Sequence, residues 1–587
     1  MLAFKLSRFP HTSFARKPTR QLCLKTTELL EYDVQESKRT FKKLPPSEWG
    51  DHFLRLPINV SEMDAVTREM NAIKPTARKM LMYSQDVEET KKRILTIYLL
   101  VALGLAYHFE DEIDDNLKHS FENMETVMAG ETDLSTVSVI FWVFRTYGYN
   151  LSSDVFKRFK GEDGKFKECL KEDAKGLLNL YEATQLGTTT DDILDEAMIF
   201  ASSHLERLVG GTCPPHISRV IRNALYMPQH HNADILFASE YIRFYKQEDA
   251  HNKVLLELAK LNFKFLQLHW INELKTLTKW WNDQDLASKL PPYFRHRVVE
   301  CHLYAVIMYF EPQYSLGRIK LAKLLVLLTV TDDSCDRYGS VPEVAKFLDC
   351  IERWDPDLGE SLPDYLKTVF KFTMDVFEDC ERAGKSEEGR SYNVEGALAE
   401  FKILQRSHLN YVEWAKTDKV PTFEEYLEVG GVGVTMYATI ALGLLGLGPS
   451  ATREEGYAWL KSRPKLVHDL ASKGRIMNDK TGFKDDMSRG FIANAVNYYM
   501  NEFGATEEET YKAFHKMVRD LEKSVNTELL KTHRRVHREV LSRAINCGKM
   551  IDVTYRSHDG YTRPKGQFTE FVESLFVDYM DASLMVS

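Results

Sequence analysis

The chain has 587 residues, of which 44% are apolar and 28% charged, and a net charge of −9. That length exceeds one ordinary core and predicts more than one domain, and the composition is that of a globular protein. The acidic balance argues against a nucleic-acid partner, because binding a phosphate backbone needs a basic surface.

Residues 1–27 carry Lys5, Arg8, Arg16, Lys17, Arg20 and Lys25, together with six Ser or Thr, and no acid precedes Glu28. This composition sets 1–35 aside as a transit peptide, addressed to the plastid first; a mitochondrial address, or a basic tail on a cytoplasmic protein, are the alternatives. From Trp49 onward the periodicity is helical. Apolar residues recur at three and four in Glu88 to His108, Glu196 to Val209, His251 to Trp281, Arg295 to Tyr309, Ser361 to Cys380, Glu395 to Lys416 and Thr506 to Leu530. Gly and Pro punctuate between them, as at Pro291-Pro292 and Gly446-Leu447-Gly448-Pro449, and alternating strand patterns are scarce. The prediction is an all-α chain with two helical domains, an N-terminal one over 36–255 and a C-terminal one over 256–587. The longest apolar stretch, Thr96 to Tyr107, falls short of the roughly 18–20 residues that span a bilayer, so it reads as a buried helix.

The chemistry concentrates in the C-terminal half. Leu321 to Val330 is apolar apart from Lys323 and Thr329, and it runs into Asp332-Asp333-Ser334-Cys335-Asp336. Well over a hundred residues later comes Asn478-Asp479-Lys480-Thr481-Gly482-Phe483-Lys484-Asp485-Asp486. On a helix Asp332 and Asp336 project from one face a turn apart, and Asn478, Gly482 and Asp486 repeat that spacing over two turns. Two such stripes facing each other suit hard cations that prefer oxygen ligands and share them with a diphosphate. Either cluster alone could be a solvated helix face, but acids that follow a buried run need a partner or a metal. The eight cysteines contain no CxxC pair, which points to neither a zinc site nor a disulfide framework. Cys335 reads as space-filling, since its soft sulfur is a poor ligand for a hard ion.

Several words then match one family in order. Trp49-Gly50-Asp51-His52-Phe53-Leu54, Phe294-Arg295-His296-Arg297-Val298-Val299-Glu300-Cys301, Tyr309-Phe310-Glu311-Pro312-Gln313-Tyr314-Ser315, the Asp cluster and Asp559-Gly560-Tyr561-Thr562 resemble plant class I terpene synthases. The resemblance runs from about Arg39 to the C-terminus. It implies a C-terminal class I terpenoid synthase fold beside an N-terminal α-barrel-like domain, and an enzyme that ionises a prenyl diphosphate and cyclises the carbocation. By the same resemblance Asp332 and Asp336 bind two magnesium ions and Asn478 and Asp486 a third, with Mn2+ able to substitute. Gly482 stands where the family often has Ser or Thr, so a water would fill its place. Asp333 reads as a partner behind the ligands. Arg295, Arg297 and Arg475 are the matched holders of the diphosphate, and Tyr304, Tyr555 and Tyr561 the matched aromatic walls.

Glu112-Ile113-Asp114-Asp115 approaches the acid word of alkene-protonating cyclases, but its first position is Glu and the chain is too short for their extra domain. It reads as a solvated face. The run Gly430-Gly431-Val432-Gly433-Val434-Thr435 lies where the family breaks a helix against the cavity, and three glycines there predict a roomy pocket. With the plastid leader, this ranks geranylgeranyl diphosphate first, geranylfarnesyl or farnesyl diphosphate next, and geranyl diphosphate last. A chain-elongating prenyltransferase would need a second Asp-rich cluster in place of the Asn478 word. The reading from another class is a catalytically inactive helical scaffold. Product skeleton and oligomeric state are not legible.

Overall fold

The computed structural model describes residues 41–578 apart from 58–59, 83–85, 212, 389–393, 417–419, 449 and 489. The leader read in 1–35 lies outside the described residues. From Lys42 the chain folds as one unit made of helices. Among the described residues there is no strand, only an isolated bridge between Lys160 and Phe166. The all-α reading holds, and the deviations from the predicted boundaries have local causes. The helix expected over Glu88 to His108 forms at Val87–Ala102, capped by the Asp86 carboxylate on the Glu89 N–H. It stops just before Gly104, whose φ of +69° leaves the helical region and is one that L side chains rarely adopt. The helix expected from Arg295 begins only at Val298, which leaves both arginines of that word on the preceding loop.

The helix Lys253–Gln284 ties the two halves together. Asn252 caps it, accepting from the N–H groups of Val254 and Leu255, and it ends at Asp285 in the left-handed region. It packs against His52–Arg55 and Val60–Lys79 on the N-terminal side and against Val298–Met308, Ser315–Asp333 and Gln567–Phe576 on the other. Its buried face carries two charged side chains, Lys260 and Glu273. Glu273 accepts two bonds from Arg318, at 2.9 and 2.7 Å, and meets His302 Nε2 at 2.8 Å, all three fully or almost fully buried. Arg318 also donates to the carbonyls of Tyr309 and Glu311. One carboxylate thereby fixes the long helix against both helices that carry the first half of the site.

One segment exceeds the apolar length read from the sequence. Phe423–Leu447 is long and apolar enough to cross a membrane by composition, which corrects the statement that no stretch is. It is two thirds buried and is broken at Thr435, whose φ is +67°, between the helices Phe423–Gly433 and Met436–Leu444. The apolar content serves the interior instead.

Candidate active site

The first Asp cluster sits at the end of the helix Ser315–Asp333, which continues as a π-helical turn over Ser334–Tyr338. The α spacing expected between Asp332 and Asp336 is therefore widened, and such turns recur at functional sites. Carboxylate oxygens of Asp332, Asp333 and Asp336 come within 4.8 Å of one another. Asp333 has no exposed surface and is turned away from the cavity. It accepts from Arg295 N–H at 2.6 Å, Arg295 Nε at 3.1 Å and Arg337 Nε at 2.7 Å. Asp332, with its side chain 36% exposed, faces the cavity and takes Arg295 Nη2 at 2.7 Å. Burial alone would raise its carboxyl pKa, but Arg295, His408 and Arg337 hold it below the ordinary range. It stays an anion, as a metal ligand requires.

The second cluster lies on the helix Lys465–Ser488 and faces the same cavity. Arg475 donates to Asn478 Oδ1, pairs with Asp479 at 2.5 Å and stands 3.4 Å from the Tyr411 hydroxyl. Asp479, unassigned from the sequence, is buried and also accepts from the Tyr426 hydroxyl and the Ala495 N–H, both at 2.7 Å. It plays behind Arg475 the part that Asp333 plays behind Arg295. Asp486 lines the cavity and accepts from Asn494 at 2.9 Å, while Asp485 points to the rim and pairs with Arg563 and Lys42.

Of the residues read from the sequence, Arg295, Tyr304, Asp332, Asp336, Arg475, Asn478, Gly482, Asp486, Tyr555 and Tyr561 line this one cavity of about 260 Å3. Arg297 does not. Its guanidinium donates to the carbonyls of Tyr561, Thr562 and His296, so it holds the C-terminal loop rather than facing a substrate. That loop is also closed by Asp559, which accepts from the N–H groups of Tyr561 and Thr562. Tyr561 stacks on Tyr304 with ring centres 5.4 Å apart and carries the Arg295 guanidinium at the same distance from its ring. His408, Tyr411 and Thr562 are among the further lining residues, and only their place in the fold identifies them.

The roominess expected at 430–435 is absent, because neighbours already use the space the glycines leave. A Cβ on Gly433 would lie 2.4 Å from the Tyr411 ring, and one on Gly430 would lie 2.6 Å from the Arg475 side chain. Gly433→Ala should therefore destabilise the protein by about 1–3 kcal/mol through overpacking, read by denaturant unfolding; a neutral variant would show that the Tyr411 ring yields freely. Glu112 and Asp114 sit outside the cavity, paired with Arg78 and Arg538, as the solvated-face reading expects. The seven described cysteines are free, Cys335 among the buried ones.

A hard divalent cation is what this donor set suits. All candidate ligands are oxygens, and the place of the missing hydroxyl is open: a Cβ on Gly482 would meet only Asp486 Oδ2, at 3.6 Å. Room for a water or a serine hydroxyl follows. Gly482→Ser should keep turnover and bind magnesium at least as well, measured by the magnesium dependence of rate; inactivity with an intact fold would show that the position meets something else.

The comparisons with known proteins agree with this geometry. Residues 282–524 match the family described as terpene synthase family, metal binding domain, and 48–225 match the terpene synthase N-terminal domain. A curated Arabidopsis thaliana sequence of the terpenoid synthase series is 79% identical over 99% of this chain and 95% of its own. The (Z)-gamma-bisabolene synthase 2 of Arabidopsis thaliana is 52% identical over 92% of this chain and 97% of its own. Among solved structures, isoprene synthase from grey poplar leaves (Populus x canescens), in complex with three Mg2+ ions and dimethylallyl-S-thiolodiphosphate, is similar with a TM-score of 0.81 at 26% identity, covering 89% of this chain and 99% of that one. The chain belongs to the plant terpene synthase family, lyases that act on prenyl diphosphates, and has that family's two-domain fold.

Proposed function

We propose that this chain is a magnesium-dependent synthase that ionises an acyclic prenyl diphosphate and cyclises the carbocation, with farnesyl diphosphate as the preferred substrate. The observation that carries it is the convergence of two oxygen-rich clusters and two arginines on one aromatic-walled cavity. Asp332 and Asp336 would hold magnesium on one wall, Asn478 and Asp486 on the other, with a water at Gly482; three ions are the number proposed. Bound magnesium supplies Lewis-acid stabilisation of the departing diphosphate oxygens. Arg295 and Arg475 present charged planar forks to that leaving group and keep it away from the cation. The π faces of Tyr304, Tyr555 and Tyr561 stabilise positive charge, and the apolar walls keep water out.

Two facts support fifteen carbons over twenty. The glycine wall is filled by the Tyr411 ring, which takes the space a longer chain would use. The relative named for bisabolene makes a fifteen-carbon hydrocarbon. The test is product analysis with magnesium and each of geranyl, farnesyl, geranylgeranyl and geranylfarnesyl diphosphate. A cyclic product with farnesyl diphosphate giving the highest kcat/KM is expected; preference for a longer chain overturns the length reading, and no turnover of any overturns the activity. We further propose a domain boundary near residue 255 and, from the basic leader, a plastid location, which a fluorescent fusion of residues 1–35 tests; entry into plastids would count for geranylgeranyl diphosphate and against the farnesyl preference.

A further inference from the structure

A buried ionic hub lies behind the cavity, and none of its members touches it. Lys473, on the helix that carries Arg475 and Asn478, places its ammonium 2.7 Å from Asp552 and 2.9 Å from Glu522. Asp552 belongs to the helix Arg538–Tyr555, which also carries Thr554 and Tyr555, and Glu522 to the helix Glu507–Thr532. The fourth member comes from the N-terminal half: His231 Nδ1 stands 3.5 Å from Asp552 and 3.6 Å from Glu522. The histidine and two carboxylates have the outline of a metal site. The lysine already takes the cation's place, so the cluster joins elements rather than binding an ion.

Its surroundings make it rigid. A Cβ on Gly474 would lie 2.6 Å from Ile551, and one on Gly548 would lie 2.7 Å from Leu470, so the two cavity-wall helices cross in close contact on either side of the Lys473–Asp552 pair. The turn that carries His231 is clasped from both halves. The Gln229 N–H donates to Glu182 at 2.8 Å, and His230 meets Asn526 at 3.0 Å. Asn526, one turn after Glu522, donates back to the carbonyls of Gln185 and Gly187. Lys473 lies two residues before Arg475 and five before Asn478, and Asp552 lies three before Tyr555.

We propose that Lys473, Asp552, Glu522 and His231 are positioning residues through which the N-terminal half sets the placement of Arg475, Asn478 and Tyr555 around the substrate. Breaking the hub leaves every substrate-facing side chain present but lets the two walls shift. The inference rests on the reading of the cavity as a prenyl diphosphate site.

The test uses the full chain and three variants, Lys473→Met, Lys473→Arg and His231→Asn, with two readings: kcat and KM on farnesyl diphosphate, and amide hydrogen exchange, which needs no substrate. In Lys473→Met, kcat should fall at least about tenfold, part of the ~100-fold that a 1 Å misplacement can cost, with KM within about threefold. Exchange should rise locally in 474–482 and 551–555 but not in Val60–Lys79. Lys473→Arg should recover most of both losses, and His231→Asn should show the same pattern more weakly. Unchanged kcat in Lys473→Met, exchange that rises evenly across the chain, or no recovery by arginine overturns the proposal. Should Lys473→Met fail to fold, His231→Asn decides by the same readings, and wild-type values for both overturn it. A wild-type enzyme inactive on all four prenyl diphosphates refutes the functional reading by itself, and the exchange pattern then decides the hub alone.

Discussion

Asp332→Ala and Asp336→Ala should each lower kcat at least ~100-fold while leaving the fold intact, because each removes an oxygen proposed to hold the metal rather than core volume. The distinction from Asp333 sharpens the test. Asp333 is fully buried and neutralises Arg295 and Arg337, so its loss strips the Arg337 guanidinium of this partner and leaves Arg295 only Asp332. Asp332 shares only one arm of Arg295, which keeps Asp333 as its partner when Asp332 is gone. The Asp332 and Asp336 variants should therefore keep wild-type circular dichroism and melt within a few degrees of it, whereas Asp333→Ala should melt lower. Near-normal turnover by both cavity-facing variants, with unchanged magnesium dependence, would remove the clamp.

That contrast shows which parts of the site a sequence can carry. Asp332, Asp336, Asn478 and Asp486 were legible as the lining of one cavity because oxygen-bearing side chains at helical intervals share a face, and the first pair still lines it although the helix widens into a π turn. Arg295 and Arg297 were not separable. They are the same residue type in the same word, and only the fold points one at Asp332 and the other at the carbonyls of Tyr561 and Thr562. The glycine run misled for a related reason. Glycine announces missing volume but not what occupies it, and Tyr411 arrives from a helix that periodicity could place only as a helix. Asp479 lay in plain view within the second cluster, yet its role behind Arg475 depends on Tyr426 and Ala495, 53 and 16 residues away in the two directions of the chain. Helix existence followed from apolar spacing; helix ends followed from local backbone such as the positive φ of Gly104.

The largest effect on stability should come from Arg318→Met. Glu273 and Arg318 are separated by forty-five residues and share no word, yet their bidentate pair fixes the long helix to the helix of the first Asp cluster. Removing the guanidinium leaves a buried carboxylate with only His302, at a cost of about 3–5 kcal/mol. The pH dependence identifies the cause. Burial alone would raise the Glu273 pKa, but Arg318 and His302 bring it down to about 2. A folded-state value below the unfolded ~4.3 means that the pair's contribution is fully present above that value and is lost as pH falls toward about 2; by linkage it amounts to about 3 kcal/mol. The stability gap between wild type and Arg318→Met should thus be widest at neutral pH and narrow as pH falls toward about 2, starting where the variant's Glu273, raised by burial once the arginine is gone, takes up its proton. Denaturant unfolding followed by tryptophan fluorescence reads both quantities, since Trp270 lies on the same helix as Glu273. A gap that stays constant with pH would assign the loss to packing around the Arg318 stem rather than to its charge, and wild-type stability in the variant would show that the three helices are held by their apolar faces alone.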